Sequence, residues 1–244
     1  KNDFLPDLDA IPEETARRAK FIYINYPNNP TGAVATKTFY EKLVAWAKTY
    51  EVGVVSDLAY GALGYRGYEN PSFLSTPGAK DVGVEFYTFS KTFNMAGWRL
   101  AFAAGNDQMI EALNLIQDHL FVGIFPALQE AGIAALLDPK SEEAVAQLNA
   151  TYDSRRDAFV QAAAKIGWKA FPSKGSFYAW MPVPEGYTSE SFADLLLEKA
   201  HVAVAPGKGF GPAGDAYVRI GLLVEPERLV EAVDRIANLQ LFNN

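Results

Sequence analysis

Thr88-Phe89-Ser90-Lys91-Thr92-Phe93-Asn94-Met95-Ala96-Gly97-Trp98-Arg99 is the stretch on which the fold turns. It grows out of the aromatic run Phe86-Tyr87-Thr88-Phe89, which reads as a strand, and it leads into a further apolar run from Trp98 to Ala104. Upstream, Val52-Gly53-Val54-Val55-Ser56 is a short apolar strand that ends at Asp57. Earlier still, Phe21-Ile22-Tyr23-Ile24 is another, stopping at Asn25. Between these two, Thr36 is placed to cap a helix on which Tyr40, Leu43, Val44, Ala47 and Tyr50 recur at helical spacing. Continuous apolar strands joined by helical crossovers predict an α/β fold with a buried, mainly parallel sheet. Such sheets bind ligands at the carboxyl ends of their strands. Asn29, Asp57 and Lys91 all fall at or just past those ends.

Toward the C-terminus the pattern changes. It is helical from about Ile110 to Leu137, with an interruption near Pro126, and Ser141 to Ile166 is a long helical stretch. Beyond it the expected order is a strand at Ser176–Met181, a helix at Ser189–Ala200, strands at Val202–Ala205 and Tyr217–Leu222, and a helix at Glu227–Leu239. Strands and helices without strict alternation suggest a smaller α+β domain, so the expected division is residues 1–140 and 141–244. No internal repeat interrupts this order. Gly207-Lys208-Gly209-Phe210-Gly211-Pro212 reads as a loop too irregular for a dinucleotide fingerprint or a nucleotide phosphate loop.

Composition narrows the chemistry. Of 244 residues, 49% are hydrophobic and 21% charged, the balance of a globular protein and not of a disordered one. No apolar run approaches the roughly 18–20 residues of a membrane span. With 22 basic and 29 acidic side chains the net charge is −7, which argues against a broad nucleic-acid footprint. The absence of cysteine excludes disulfides and thiol catalysis, and two histidines, His119 and His201, cannot build a multi-histidine metal site. Both histidines read as structural. Chemistry falls to Lys, Arg, Asp, Tyr or a borrowed cofactor.

The candidate groups cluster at strand ends. Asn25-Tyr26-Pro27-Asn28-Asn29-Pro30-Thr31-Gly32 is a rigid turn, its angles restricted by prolines and released by Gly32. Asp57-Leu58-Ala59-Tyr60 sets a carboxylate and a phenol close together after the next strand. A lysine at a sheet's carboxyl edge among aromatics, as Lys91 is, suits Schiff-base chemistry better than solubility. Arg99 can bind a phosphate through its forked donors, with Thr88 and Ser90 adding hydroxyls. An Asp facing a pyridine nitrogen would keep it protonated and make the ring an electron sink. Together these parts describe a site for pyridoxal 5'-phosphate. Singly, each has a plainer reading: Asp57 as a helix N-cap, Tyr60 as a surface aromatic, Arg219 as a solvent-facing strand residue. Trp46, Trp168 and Trp180 read as core.

The Asn-Pro-Thr-Gly turn, the Asp57-x-x-Tyr60 pair and the Ser90-Lys91-x-x-x-Met95-x-Gly97-Trp98-Arg99 segment resemble the class I/II aminotransferases of fold type I. Gly175-Ser176-Phe177-Tyr178 and Tyr217-Val218-Arg219-Ile220 resemble motifs of that family's small domain, so the likeness runs over essentially the whole chain. The resemblance implies that Lys91 forms the Schiff base and shuttles a proton at the substrate Cα. It implies that Asp57 pairs with the pyridine nitrogen and that Tyr60 and Asn29 hydrogen-bond the ring's phenolic oxygen. Arg99, Thr88 and Ser90 would hold the phosphate, and Arg219 would clamp the substrate α-carboxylate. It also implies a cytoplasmic homodimer acting on amino acids and 2-oxo acids. In the family a substantial N-terminal part precedes the point where this chain begins, so the chain is expected to be the C-terminal part of a truncated large domain plus the small domain. Segments around Asp57, Lys91 and Lys199–Gly207 are similar to methionine-salvage enzymes that aminate 2-oxo-4-(methylthio)butanoate. LL-diaminopimelate and aspartate/alanine aminotransferases are close behind. A pyridoxal phosphate C–S β-lyase and the non-catalytic effector half of a transcription regulator are the alternatives.

Overall fold

Three of the first four strands run parallel, as the apolar runs predict. The computed structural model describes residues 2–242; Lys1, Asn243 and Asn244, and with Lys1 the very start of the chain, lie outside the described residues. Strands β1 (Phe21–Asn25), β2 (Gly53–Asp57), β3 (Gly83–Thr88) and β4 (Ala101–Gly105) form one sheet in that order. β1 pairs β2 and β2 pairs β3 in parallel, while β4 returns antiparallel to β3. Helix α1 (Glu13–Arg18) precedes β1, and α2 (Lys37–Tyr50) crosses over to β2. Thr36 caps α2 as expected, its Oγ1 accepting the Phe39 N–H at 3.1 Å. Phe39, Tyr40, Leu43, Val44 and Ala47 form the buried stripe of α2. Trp46 is only half-buried, its ring 5.3 Å from that of Tyr50 at the outer margin of the helix, and so is not the core residue expected. The short helices α3 (Ala79–Val82) and α4 (Phe89–Thr92) flank β3.

Two strand boundaries differ from the expectation for local reasons. Thr88 caps α4, so Phe89 opens a helical turn instead of extending the strand. Trp98 lies in a 3-10 turn and Arg99 has φ +53°, so β4 begins only at Ala101. Helix α5 (Asp107–Ile116) continues into a π turn at Gln117–Phe121, and Val122 breaks it with φ +61°. Pro126 then sits in the first turn of α6 (Pro126–Leu137), where its missing N–H is harmless.

Helix α7 (Ser141–Lys165) follows, then β5 (Tyr178–Pro182), α8 (Ser189–Leu195), β6 (Ala205–Pro206), β7 (Tyr217–Gly221) and α9 (Pro226–Ala237). The second sheet is antiparallel in the order β5-β7-β6. The strand expected at Val202–Ala205 shrinks to Ala205–Pro206. The chain is still unwinding from a π turn there, with Val202 N–H bonded to Leu196 O and His201 left-handed. Ala179, Met181, Val218, Ile220 and Leu222 turn inward from this sheet against Phe159, Trp168, Phe192, Leu196, Val233 and Ile236. Strand alternation therefore sends Tyr178, Trp180, Tyr217 and Arg219 to its other face. Trp168 and Trp180 are buried as expected. His119 and His201 are exposed, and His201 terminates the π turn after α8.

The chain divides into two compact units between Gln147 and Leu148, and the turn Asn28–Ala33 belongs with the second. Among the described residues no helix is long and apolar enough to cross a membrane, and no His/Cys/Asp/Glu cluster could hold a metal ion.

Candidate active site

Parallel pairing brings the ends of β1, β2 and β3 to one edge of the first unit. There Asn25 Nδ2 donates to Asp57 O at 3.0 Å, and Leu58 N–H donates to Phe86 O at 2.9 Å. Asp57 is exposed and tightens the turn after β2 by accepting the Ala59 N–H on Oδ1 at 3.0 Å. No helix starts here, so the helix N-cap of the plainer reading is not formed, and the carboxylate is left at the sheet edge. Tyr60 is buried just beyond, and Asn70 Nδ2 holds the turn through Gly61 O and Leu63 O at 3.0 and 3.1 Å. A cleft of about 640 Å³ on this sheet is lined by Tyr23, Val55, Asp57, Phe86 and Ile116 among others, but not by Lys91.

Lys91 rides on the single turn α4. Thr88 Oγ1 accepts the Ser90 N–H at 3.2 Å and lies 3.0 Å from Ser90 Oγ, which places two hydroxyls beside the lysine. Phe89 anchors the turn in a small core with Met95 and Leu100. Thr92 is buried and accepts the Tyr87 hydroxyl at 2.7 Å. Burial is the main influence on the Tyr87 phenol and raises its pKa above the ordinary value. The result points Lys91 at its neighbour: Nζ lies 5.9 Å from the centroid of the Tyr60 ring. Arg99 is exposed, and its Nη1 donates to Ala96 O at 3.0 Å. Its neighbour Leu100 accepts the Phe89 N–H, so Arg99 belongs to the same corner as Thr88 and Ser90.

Arg219 and Asn29 meet in the second unit. Arg219 Nη1 donates to Asn29 Oδ1 at 2.7 Å, which links the two expected substrate-binding residues. Asn29 is carried on a self-closing turn: Asn28 N–H bonds Ala33 O and Gly32 N–H bonds Asn28 O, each at 2.8 Å. Asn28 Oδ1 also takes the Thr31 hydroxyl at 2.7 Å. Gly32 has φ +70°, and a Cβ there would lie 2.3 Å from Ser173 Oγ, so the turn needs glycine twice over. Two rings lie over the Arg219 guanidinium, those of Tyr178 and Phe210, with Cζ 4.2 and 4.7 Å from their centroids.

These donor sets fit pyridoxal phosphate. An exposed carboxylate suits a protonated ring nitrogen, while an amine and a phenol within one turn's reach suit the carbonyl carbon and the phenolic oxygen. Two hydroxyls near a capped helical turn, with a guanidinium in the same corner, suit a phosphate. Sequence reasoning missed Phe210, which it read as part of a loop, and the role of Tyr178, which it noted only as part of a motif. It also passed over Glu85, a lone acid in an apolar strand. That side chain is buried and accepts the Ser56 and Ser72 hydroxyls and the Phe73 N–H.

The chain belongs to the class I and II aminotransferases, whose family model matches residues 1–236. It is 57% identical over 239 residues to the L-glutamine–4-(methylsulfanyl)-2-oxobutanoate aminotransferase of Bacillus subtilis, covering 98% of this chain and 60% of that protein. It is 50% identical to the LL-diaminopimelate aminotransferase of Moorella thermoacetica, covering 96% of this chain and 60% of that one. Among solved structures, apo-BacF from Bacillus subtilis superposes with a TM-score of 0.94 at 46% identity, over 100% of this chain and 62% of its own. The chain thus spans about 60% of the length of the curated relatives it matches.

Proposed function

We propose that the protein is a pyridoxal phosphate-dependent aminotransferase, exchanging an amino group between an L-amino acid and a 2-oxo acid. The observation that carries this is the Lys91 turn at the carboxyl edge of the parallel strands, with its amine over the Tyr60 ring. When bound, pyridoxal phosphate supplies the electron sink that makes the substrate Cα–H acidic. The chain supplies the rest. The Lys91 amine holds the cofactor and moves the proton at Cα. Asp57 pairs with the ring nitrogen, and Tyr60 and Asn29 donate to the phenolic oxygen. Thr88, Ser90 and Arg99 bind the phosphate. Arg219 takes the substrate α-carboxylate edge-on, a geometry that a lysine ammonium cannot reproduce. Lys91, Asp57, Tyr60, Thr88, Ser90 and Arg99 lie in the first compact unit, which runs to Gln147 and not to residue 140, and Asn29 and Arg219 lie in the second.

For the substrate we propose 2-oxo-4-(methylthio)butanoate, aminated to methionine, on the strength of the 57% identity to the Bacillus subtilis enzyme of that name. LL-diaminopimelate is the second reading, from the relative at 50% identity. The protein works in the cytoplasm as a homodimer. In support of the dimer, Leu115, Ile116, Leu120, Phe121, Val122 and Phe125 are all at least half exposed around the π turn. The test is an amino-donor and 2-oxo-acid profile of the protein isolated at the full length of its gene. Glutamine with 2-oxo-4-(methylthio)butanoate should rank first, with no ammonia or thiol released. A preference for LL-diaminopimelate would replace the first substrate with the second. Release of thiol and ammonia would make the protein a lyase.

A further inference from the structure

Arg219 is held by more than Asn29. The rings of Tyr178 and Phe210 both lie over its guanidinium, and each is braced from elsewhere in the second unit. Tyr178 meets Phe177 edge-on at 4.9 Å, and Phe177 stacks on Tyr152 at 5.3 Å. Phe210 meets Trp180 edge-on at 6.0 Å, and Trp180 stacks on Tyr217 at 5.2 Å. The turn carrying Phe210 is pressed onto the sheet so closely that a Cβ on Gly207 would lie 2.2 Å from Gly214 O and 2.4 Å from Tyr217 O. The same turn is tied down where Lys208 N–H donates to Ser189 Oγ, itself bonded to Asp215. Yet Phe210 is 42% exposed, which is a poor use of a phenyl ring if its purpose were only to fill the core.

We infer that Tyr178 and Phe210 are positioning residues for carboxylate recognition: their rings restrain the Arg219 guanidinium so that its in-plane N–H groups are presented to an incoming carboxylate. This rests on the aminotransferase reading of Arg219. An arginine has five donors in one plane and long flexible torsions behind them. One Nη1 donor is spent on Asn29, which fixes one corner of the plane. Rings over the guanidinium add cation–π attraction and take its rotational freedom before the ligand arrives, so less is lost on binding. The chemistry read in this way is the α-carboxylate common to amino and 2-oxo acids, and not their side chains.

The experiment compares wild type, Phe210→Tyr, Phe210→Leu and Phe210→Ala in the full-length, cofactor-loaded protein, after melting curves establish that each is folded. Two quantities are read: KM and kcat for several donors and acceptors, and the Kd for butanoate by calorimetry, a monocarboxylate that cannot react. Phe210→Ala and Phe210→Leu should raise KM for every amino and 2-oxo acid by a similar factor, about three- to tenfold. They should weaken butanoate by the same factor and leave kcat within about twofold, while Phe210→Tyr restores both constants. Unchanged KM and Kd in Phe210→Ala overturn the inference, as does a wild-type value for Phe210→Leu, or an effect confined to one side chain. Wild type that transaminates nothing, but binds butanoate through Phe210 as described, would sink the enzyme reading and leave the positioning role standing. Wild type that binds no butanoate at all overturns the positioning role as well.

Discussion

At the residue scale, residue type matters most at Arg219, where shape and charge separate. A lysine would keep the charge but offer Asn29 and a carboxylate a compact ammonium with rotatable donors in place of a planar fork. Arg219→Lys should raise KM for every amino acid by about 10- to 100-fold, the worth of one or two charge-assisted hydrogen bonds, and lower kcat as well. Steady-state kinetics on several donors check this. A defect for one donor alone would make Arg219 a side-chain reader. The residues legible in the sequence were those whose polarity is out of place at the end of an apolar run, namely Asp57 and Lys91. Phe210 was illegible because an aromatic in a glycine-rich loop has no meaning until the chain brings Arg219 beneath it.

At the scale of elements, period and capping carried the reading. Thr36 and the α2 stripe were predictable because a cap and a repeat are local signals. β4 and β6 came out shorter than expected because Arg99 and His201 adopt left-handed backbone that their identities do not advertise. The turn bearing Asn29 yields a sharp expectation. Gly32→Ala forces a positive φ on alanine and a clash with Ser173, so it should destabilise by more than about 1 kcal/mol and raise the KM for amino acids by displacing Asn29. Denaturant titration with parallel kinetics reads both effects, and an unperturbed protein would mean the turn is not closed as described. Buried Glu85 makes a second case, since it joins β2, β3 and the segment Ser72–Phe73. Glu85→Ala strands two hydroxyls and an N–H, at about 1–3 kcal/mol for each group left unpaired. Its midpoint in urea should fall well below that of Glu85→Gln, which keeps an acceptor. Equal midpoints would contradict the accepting role.

At the scale of the whole molecule, two compact units each hold one part of the expected chemistry: Lys91, Asp57, Tyr60, Thr88, Ser90 and Arg99 in the first, Asn29 and Arg219 in the second. That Asn28–Ala33 belongs with residues far along the chain was invisible in the sequence, because the hydrogen bonds to Ser173 and Arg219 that hold it are not periodic. The family was legible because its motifs are short, polar and ordered, and the family match over residues 1–236 bears out the resemblance. On the proposed reading, Lys91 is the group that carries pyridoxal phosphate. The direct measurement is borohydride reduction of the full-length protein loaded with pyridoxal phosphate, followed by peptide mass mapping. One stoichiometric pyridoxyl adduct is expected, on Lys91, and none in Lys91→Ala. An adduct on another lysine in the wild-type protein, or no adduct at all, would contradict it.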